Sequence, residues 1–369
     1  MSLLVAALAL AAPAAAEAPY GTLADGREVS QVTLTNDRGM AVKLIGYGAI
    51  VTDIVVPDAQ GRAENVALGF ATLADYEAKN VNYDFGAVVG RYAGRIAGAR
   101  FAIDGTEYRL EANDPPNALH GGPGGTDMAL WSVEPFTRGA VAGAVLRHSS
   151  PAGDQGFPGR LDVTVTYSLT PDNALRIDYE AATDAPTHLN LTNHSYVNLA
   201  GAGRGTIRDH RLQILSGRLI DTAEKGIPTG EALDVADTPF DFRAPQPVGT
   251  AMRGSHRLLE GSRGFNHGWM LSGEGLRTAA ILSDPASGRV MEVLTTEASL
   301  HVYAANWFGG EDLGAQGVAY PPHAGLALEA QAFPDAPNRP EFPSTLLRPG
   351  EVFQSTTIYR FSAAPGRPR

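Results

Sequence analysis

Short runs of residues alternating with a period of two recur along nearly the whole chain, and this pattern most limits what the chain can fold into. In residues 163–169, Val163, Val165, Tyr167 and Leu169 alternate with Thr164, Thr166 and Ser168. A turn at Pro171-Asp172-Asn173 follows, and a second run returns over residues 175–179. Alternation of this kind puts one face of a strand on a core. Residues 101–110 predict a hairpin turning at Asp104-Gly105, a dipeptide that accepts the positive φ of a tight turn. Residues 279–282 and 289–295 pair across Asp284-Pro285 and Gly288, and residues 30–35, 41–56 and 356–361 are β-rich. Helical spacing is confined to one or two turns at residues 73–79. The 42 Gly and 25 Pro are spread through the chain rather than gathered into a linker, and no repeat of fixed period is visible. Short strands with abundant turn residues predict an all-β sandwich or barrel. With no linker, the expectation is one large antiparallel β-sandwich over residues 19–369.

At 369 residues the chain has ample length for a sizeable core, and 44% apolar with 19% charged residues marks a globular protein. A net charge of -11 argues against nucleic acid, anionic membrane surfaces or a polyphosphate as the main partner. There are no cysteines, so thiolate metal sites are excluded and the redox compartment leaves no mark. Residues 3–12 form an apolar run, followed by the small-x-small patterns Ala14-Ala15-Ala16 and Ala16-Glu17-Ala18. The run is short for a bilayer span, so residues 1–18 read as a cleaved secretory leader. Met1-Ser2 supplies no basic residue, an atypical leader start that a start codon placed too far downstream would explain. The expected destination is periplasmic or extracellular, with no membrane integration after cleavage.

Four segments concentrate unusual chemistry. Residues 188–199 read as a strand with His188, Asn190, Thr192, His194, Tyr196 and Asn198 on one face, and Leu189, Leu191, Val197 and Leu199 on the other. The polar face carries no formal charge, which suits a neutral polyhydroxylated ligand and makes His194 the first catalytic candidate. Asn190-Leu191-Thr192 and Asn193-His194-Ser195 fit the glycosylation sequon, but a half-buried strand makes the match accidental. In residues 325–331, Leu326, Leu328 and Ala330 share one face, and Ala327, Glu329 and Gln331 the other. A lone carboxylate among small residues is partly desolvated, which raises its pKa toward that of a useful general base; otherwise Glu329 is an ordinary solvent-facing glutamate. His120 precedes Gly121-Gly122, where the backbone can take positive φ or approach a ligand closely. The fourth segment is Gly90-Arg91-Tyr92-Ala93-Gly94-Arg95-Ile96. His120, His194, His267, His301 and His323 are scattered without metal-ligand spacing, so no metal is expected. No Gly-Lys-Ser/Thr follows the glycine-rich stretch after His120, and Gly-x-Ser-x-Gly does not occur, which removes the phosphate-loop and serine-hydrolase readings.

Taken in order, these segments resemble the aldose 1-epimerases, also called galactose mutarotases. The resemblance rests on Gly86 to Ile96, Asn117 to Gly122, Leu191 to Tyr196, Thr238 to Arg243, Gly264 to His267, and Leu328 to Gln331 with Pro334-Asp335-Ala336. It implies a large antiparallel β-supersandwich with a shallow sugar cleft. By position Glu329 matches the family's general base, His194 its general acid and His120 a second active-site histidine. Arg95, Asp241, Tyr196 and Gln331 are the implied substrate contacts. The family often has Asn before the Arg of its Asn-Arg-Ile motif. This chain has Gly94 there, which bears on substrate preference more than on the reaction.

The implied chemistry needs no cofactor: a base takes the proton of the anomeric hydroxyl, an acid protonates the ring oxygen, and the ring opens, rotates and recloses. An unperturbed imidazole would hold the required proton about half the time near neutral pH. The expected partner is a small aldose such as glucose or galactose. Competing readings are a non-catalytic carbohydrate-binding sandwich, an epimerase of a different or phosphorylated sugar, and a glycosidase using Glu329 with Asp241. For Asp241 the alternative is a salt bridge with nearby Arg243.

Overall fold

The computed structural model describes residues 12–364, and the apolar run expected to form the leader lies almost wholly outside them. Three sheets dominate. A nine-stranded sheet runs in the order Ser132–Arg138, Val141–Ser150, Leu161–Leu169, Ala174–Thr183, Phe353–Ala363, Arg289–Thr295, Arg277–Ser283, Arg211–Ile214, Gln246–Pro247. A six-stranded sheet runs Tyr196–Val197, Leu326–Gln331, Ser299–Tyr303, Asn266–Met270, Arg218–Thr222, Pro228–Asp234. A five-stranded meander holds Ala14–Thr22, Glu28–Thr35, Ala41–Ile45, Val51–Pro57 and Ala63–Asn65. Neighbouring strands within each of the three are antiparallel. The expected all-β antiparallel architecture is therefore what the chain adopts.

The alternation explains the layers. Val163, Val165, Tyr167 and Leu169 of the nine-stranded sheet are buried in one cluster with Leu326, Leu328 and Ala330 of the six-stranded sheet and Val32, Leu34, Val42 and Leu44 of the meander. The hairpin at Asp104-Gly105 forms with φ of 50° and 83°. Asp104 tolerates that region because its short polar side chain can bond locally. Helix Leu73–Lys79 is the predicted turn or two, begun by Thr72, whose side chain accepts from the Asp75 amide.

One expectation fails. Residues 188–199 do not form a single strand with one open face. They break into Thr187–His188, Thr192–Asn193 and Tyr196–Val197, each paired with a different partner strand. Every residue from 187 to 199 is buried. The segment crosses the interior, so its polar side chains must satisfy backbone groups that no ladder reaches. Asn190 donates to the carbonyls of Ala93 and Ala332, Thr192 to Ala330, Asn193 to Gly86 and Asn198 to Ala324. His188 meets Thr345 through Nδ1 at 2.9 Å. The missing charge marked burial, and His194 and Tyr196 are the two side chains of this segment that reach a cleft.

Candidate active site

The cleft has a volume of about 280 Å³ and opens on the face of the six-stranded sheet away from the main core. Strand Leu326–Gln331 builds its floor. All six residues are buried, yet alternation sends Leu326, Leu328 and Ala330 into the core and Glu329 and Gln331 into the cleft. His301, on the neighbouring strand, stands directly opposite Glu329. His194 reaches the cleft from the segment that crosses the interior, and its Nε2 lies 3.4 Å from Glu329 Oε1, both side chains being almost fully buried.

His120 meets His194 edge to face, with ring centroids 5.4 Å apart and planes at 90°. Its own φ is +52°, and Gly121 follows at +82°. A Cβ on Gly121 would stand 2.1 Å from the Gly90 carbonyl oxygen, so glycine is required twice over, for the dihedral and for the approach. That approach is to backbone rather than to a ligand. It docks the His120 turn against residues 90–95, where the Gly94 amide donates to His120 Nδ1 at 3.1 Å. The bond leaves Nε2 to carry the hydrogen of the neutral ring. Arg95 borders the cleft with its Nε donating to Asp114 at 2.7 Å, and Tyr196 packs on His194 at 4.9 Å.

Of the residues singled out in the sequence, the fold brings Glu329, His194, His120, Arg95, Tyr196 and Gln331 into this one cleft. Asp241 does not join them. Its carboxylate is gripped by Arg243 through two bonds of 2.8 and 2.7 Å, the salt bridge that was the alternative reading, and it is not part of the cleft wall.

Sequence reasoning missed three cleft residues. Asn266 and His301 join by a hydrogen bond from His301 Nε2 to Asn266 Oδ1 of 2.7 Å, which leaves the Asn266 amide hydrogens free to donate. His301 was one of five scattered histidines; its place between Leu300 and Val302 was the available signal. Asp84 sits at φ +55° in the wall, and nothing in its sequence neighbourhood announces it. Burial, then the Asp127 and Glu329 carboxyls near it, push Asp84 well above the usual carboxylate range. Single ligand atoms of Asp84, His120 and His194 lie within 4.8 Å of one another, the one such group of metal-ligating types among the described residues. Asp84 would have to give up its proton, and His120 offer Nε2, for that group to take a cation.

The electrostatics follow from burial. Desolvation lifts Glu329 to about 8, against a smaller opposing pull from Arg95. Desolvation lowers His194 to about 4, so its ring does not keep the neutral-pH balance of a free imidazole. His301 falls to about 3 for the same first reason, with His267, Arg95 and His194 adding repulsion. His120 falls well below its ordinary value, through burial and then His194, Arg95 and His301. Between about 4 and about 8 the His194–Glu329 pair therefore holds one proton. Three buried polar atoms on cleft residues have no protein partner: His194 Nδ1, His301 Nδ1 and Gln331 Oε1. The wall thus combines a shared proton, neutral donors and acceptors, and aromatic faces, a surface suited to hydroxyl groups.

A β-supersandwich carrying an imidazole–carboxyl pair in a neutral polar cleft defines the class, and comparison with known proteins agrees. The chain belongs to the aldose 1-epimerase family, whose model matches residues 30–360. It is 42% identical to the galactose mutarotase of Mus musculus over 340 residues, covering 92% of this chain and 96% of that one. It is 37% identical to the aldose 1-epimerase of Escherichia coli K12, covering 92% and 97%. The crystal structure of galactose 1-epimerase from Lactobacillus acidophilus superposes with a TM-score of 0.85 at 29% identity, covering 96% of this chain and all of that one.

Proposed function

We propose that this protein is an aldose 1-epimerase that interconverts the α and β anomers of aldohexoses such as glucose and galactose. The observation that carries this reading is the buried His194–Glu329 pair, 3.4 Å apart, in a cleft whose wall also holds His120, Arg95, Asn266 and Gln331.

The reaction needs one proton taken from the anomeric hydroxyl and one given to the ring oxygen. With carboxylate at Glu329 and imidazolium at His194, Glu329 accepts the O1 proton while His194 Nε2 protonates O5. The C1–O5 bond breaks to the open aldehyde, rotation about C1–C2 presents the other carbonyl face, and reclosure with reversed roles gives the opposite anomer. Proton count and oxidation state are unchanged. The resting proton favours the carboxyl, and transfer across the pair arms both groups without exchange with water. Arg95 and the incoming O1–H both stabilise the carboxylate this requires. A positioned acid–base pair is typically worth about 10²–10⁴-fold in rate. His120 Nε2–H, the Asn266 amide and Gln331, which line the same cleft, are the groups we assign to the remaining hydroxyls.

A non-catalytic sugar-binding module has no use for a shared proton in a desolvated pair. A glycosidase built on Glu329 and Asp241 loses its second carboxyl, because Asp241 stays on Arg243. Polarimetry on freshly dissolved α-D-glucose and α-D-galactose tests the proposal: the drift in optical rotation accelerates with protein, and a drift equal to buffer sinks it.

We also propose export to the periplasm or medium. The leader patterns after Ala16 and Ala18 fall inside strand Ala14–Thr22, which pairs with Glu28–Thr35. This outer strand is exposed at most positions, so losing its first residues removes little buried surface. N-terminal sequencing of protein from fractionated cells decides the point; uncleaved protein in the cytosol overturns it.

A further inference from the structure

Asp84 is a cleft carboxyl that the proton transfer above does not use. A tight turn delivers it to the wall: its amide donates to the Asn80 carbonyl at 2.7 Å and its carbonyl accepts from the Ala87 amide at 3.1 Å, holding φ at +55°. Such a conformation is uncommon outside glycine, persists only where the surroundings hold it, and clusters at active sites. Behind Asp84 lies Asp127, buried, whose Oδ1 meets no N–H or hydroxyl donor among the described residues. The two carboxyls are hydrogen-bonded to each other, which requires a proton between them. Asp84 therefore presents its other oxygen to the cleft without a full charge of its own.

We propose that Asp84 contacts the substrate, holding with His120 the exocyclic C6 hydroxyl of an aldohexose, and so makes the protein prefer sugars that carry that group. This rests on the anomer-interconverting reading of the cleft and adds a specificity-determining residue to it. Single polar atoms of Asp84, His120 and His194 lie within 4.8 Å of one another, a spacing that lets one oxygen sit within hydrogen-bond reach of all three. Glu329 reaches His194 at 3.4 Å without joining this group, so Asp84 and His120 extend the polar wall past His194. With O1 on Glu329 and O5 on His194, the next oxygen beyond the ring oxygen is O6, three bonds away.

The chemistry of the three groups fits a hydroxyl rather than an ion. O6 can accept from His120 Nε2–H and donate to the free oxygen of Asp84, a directional pair that needs no change of protonation. A metal ion would require Asp84 to surrender the proton it shares with Asp127, and His120 to release the hydrogen that the Gly94 amide fixes on Nε2. A phosphate or carboxylate at C6 would face the Asp84, Asp127 and Glu329 carboxyls with no cation in the trio to answer it. A neutral hydroxymethyl group meets none of these costs.

The test compares anomer interconversion of D-glucose and 6-deoxy-D-glucose by polarimetry, in wild-type protein and in Asp84 variants folded by circular dichroism. Wild type should favour glucose over the 6-deoxy sugar in kcat/KM by roughly three- to tenfold, the worth of a hydrogen-bonded hydroxyl. Asp84→Gly removes the carboxyl at a φ that glycine adopts freely. It should lower kcat/KM for glucose more than for 6-deoxyglucose and close most of that gap. Asp84→Asn, which keeps a donor and an acceptor, should retain most of the preference. Asp84→Ser, whose hydroxyl is too short to reach, gives the same comparison if the glycine variant does not fold. A wild-type protein with no preference for glucose overturns the proposal. Equal losses on both sugars in the carboxyl-deleted variant also overturn it, because they assign Asp84 a merely structural role. Failure of wild type to accelerate either sugar overturns the anomer-interconverting reading itself.

Discussion

At the scale of the residue, burial sets the chemistry of Glu329 and His194 by pushing their proton affinities in opposite directions. Below about 4 the pair gains a second proton and loses its base; above about 8 it loses its last proton and with it the acid. The pH profile of kcat/KM should therefore be a broad bell with limbs near those values. A profile centred on one ionisation near 6.5 would contradict the burial argument. Stability carries the same signature. The Glu329 carboxyl is raised in the folded state from an ordinary 4.5, so stability present at low pH is lost progressively as pH climbs from 4.5 to about 8. Glu329→Gln cannot ionise and escapes that loss. Its thermal midpoint should gain on wild type across this range, and a constant gap would refute the assignment. Gly94 gives a test of substrate preference. Its φ of +79° is one that Asn tolerates, and a Cβ there meets nothing closer than Gln331 Nε2 at 3.4 Å. Gly94→Asn should fold normally and change KM between glucose and galactose, with kcat held within a few fold; unchanged KM for both removes this position from recognition.

At the scale of the element, the clearest lesson comes from two segments with the same pattern. Alternation in residues 326–331 was legible and correct: it separated Leu328 from Glu329 and predicted the desolvated carboxyl. Alternation in residues 188–199 was just as regular, yet the segment crosses the interior as three short pieces. Pattern reports which side chains are apolar. It does not report whether the other side meets water, ligand or backbone, because that depends on partners distant in sequence, such as Gly86, Ala324 and Ala330. The pairing of Asn266 with His301 and the nearness of Asp84 to Asp127 likewise depend on partners distant in sequence. Two element-level substitutions follow. Leu328→Ala opens a cavity behind Glu329 and should cost roughly 2–5 kcal/mol in chemical denaturation. Gly121→Ala collides with the Gly90 carbonyl and forces positive φ on alanine, so it should displace His120 and cost more than about 1 kcal/mol. Normal stability and full activity in Gly121→Ala would show that the turn does not hold the histidine.

At the scale of the whole molecule, one buried cluster runs through all three large sheets, and the cleft floor is the back of a strand in that cluster. The active pair is thus fixed by the same packing that stabilises the fold, and residues 19–369 are expected to unfold as one unit. Two well-separated calorimetric transitions would contradict a single domain. The account as a whole depends on the His194–Glu329 pair moving protons at the anomeric centre. Exchange NMR on glucose at anomeric equilibrium observes that event directly, as transfer of magnetisation between the α and β H1 signals. Wild-type protein should produce exchange cross-peaks absent from buffer, and Glu329→Gln, folded by circular dichroism, should abolish them. Cross-peaks of near wild-type intensity in that variant would contradict the account.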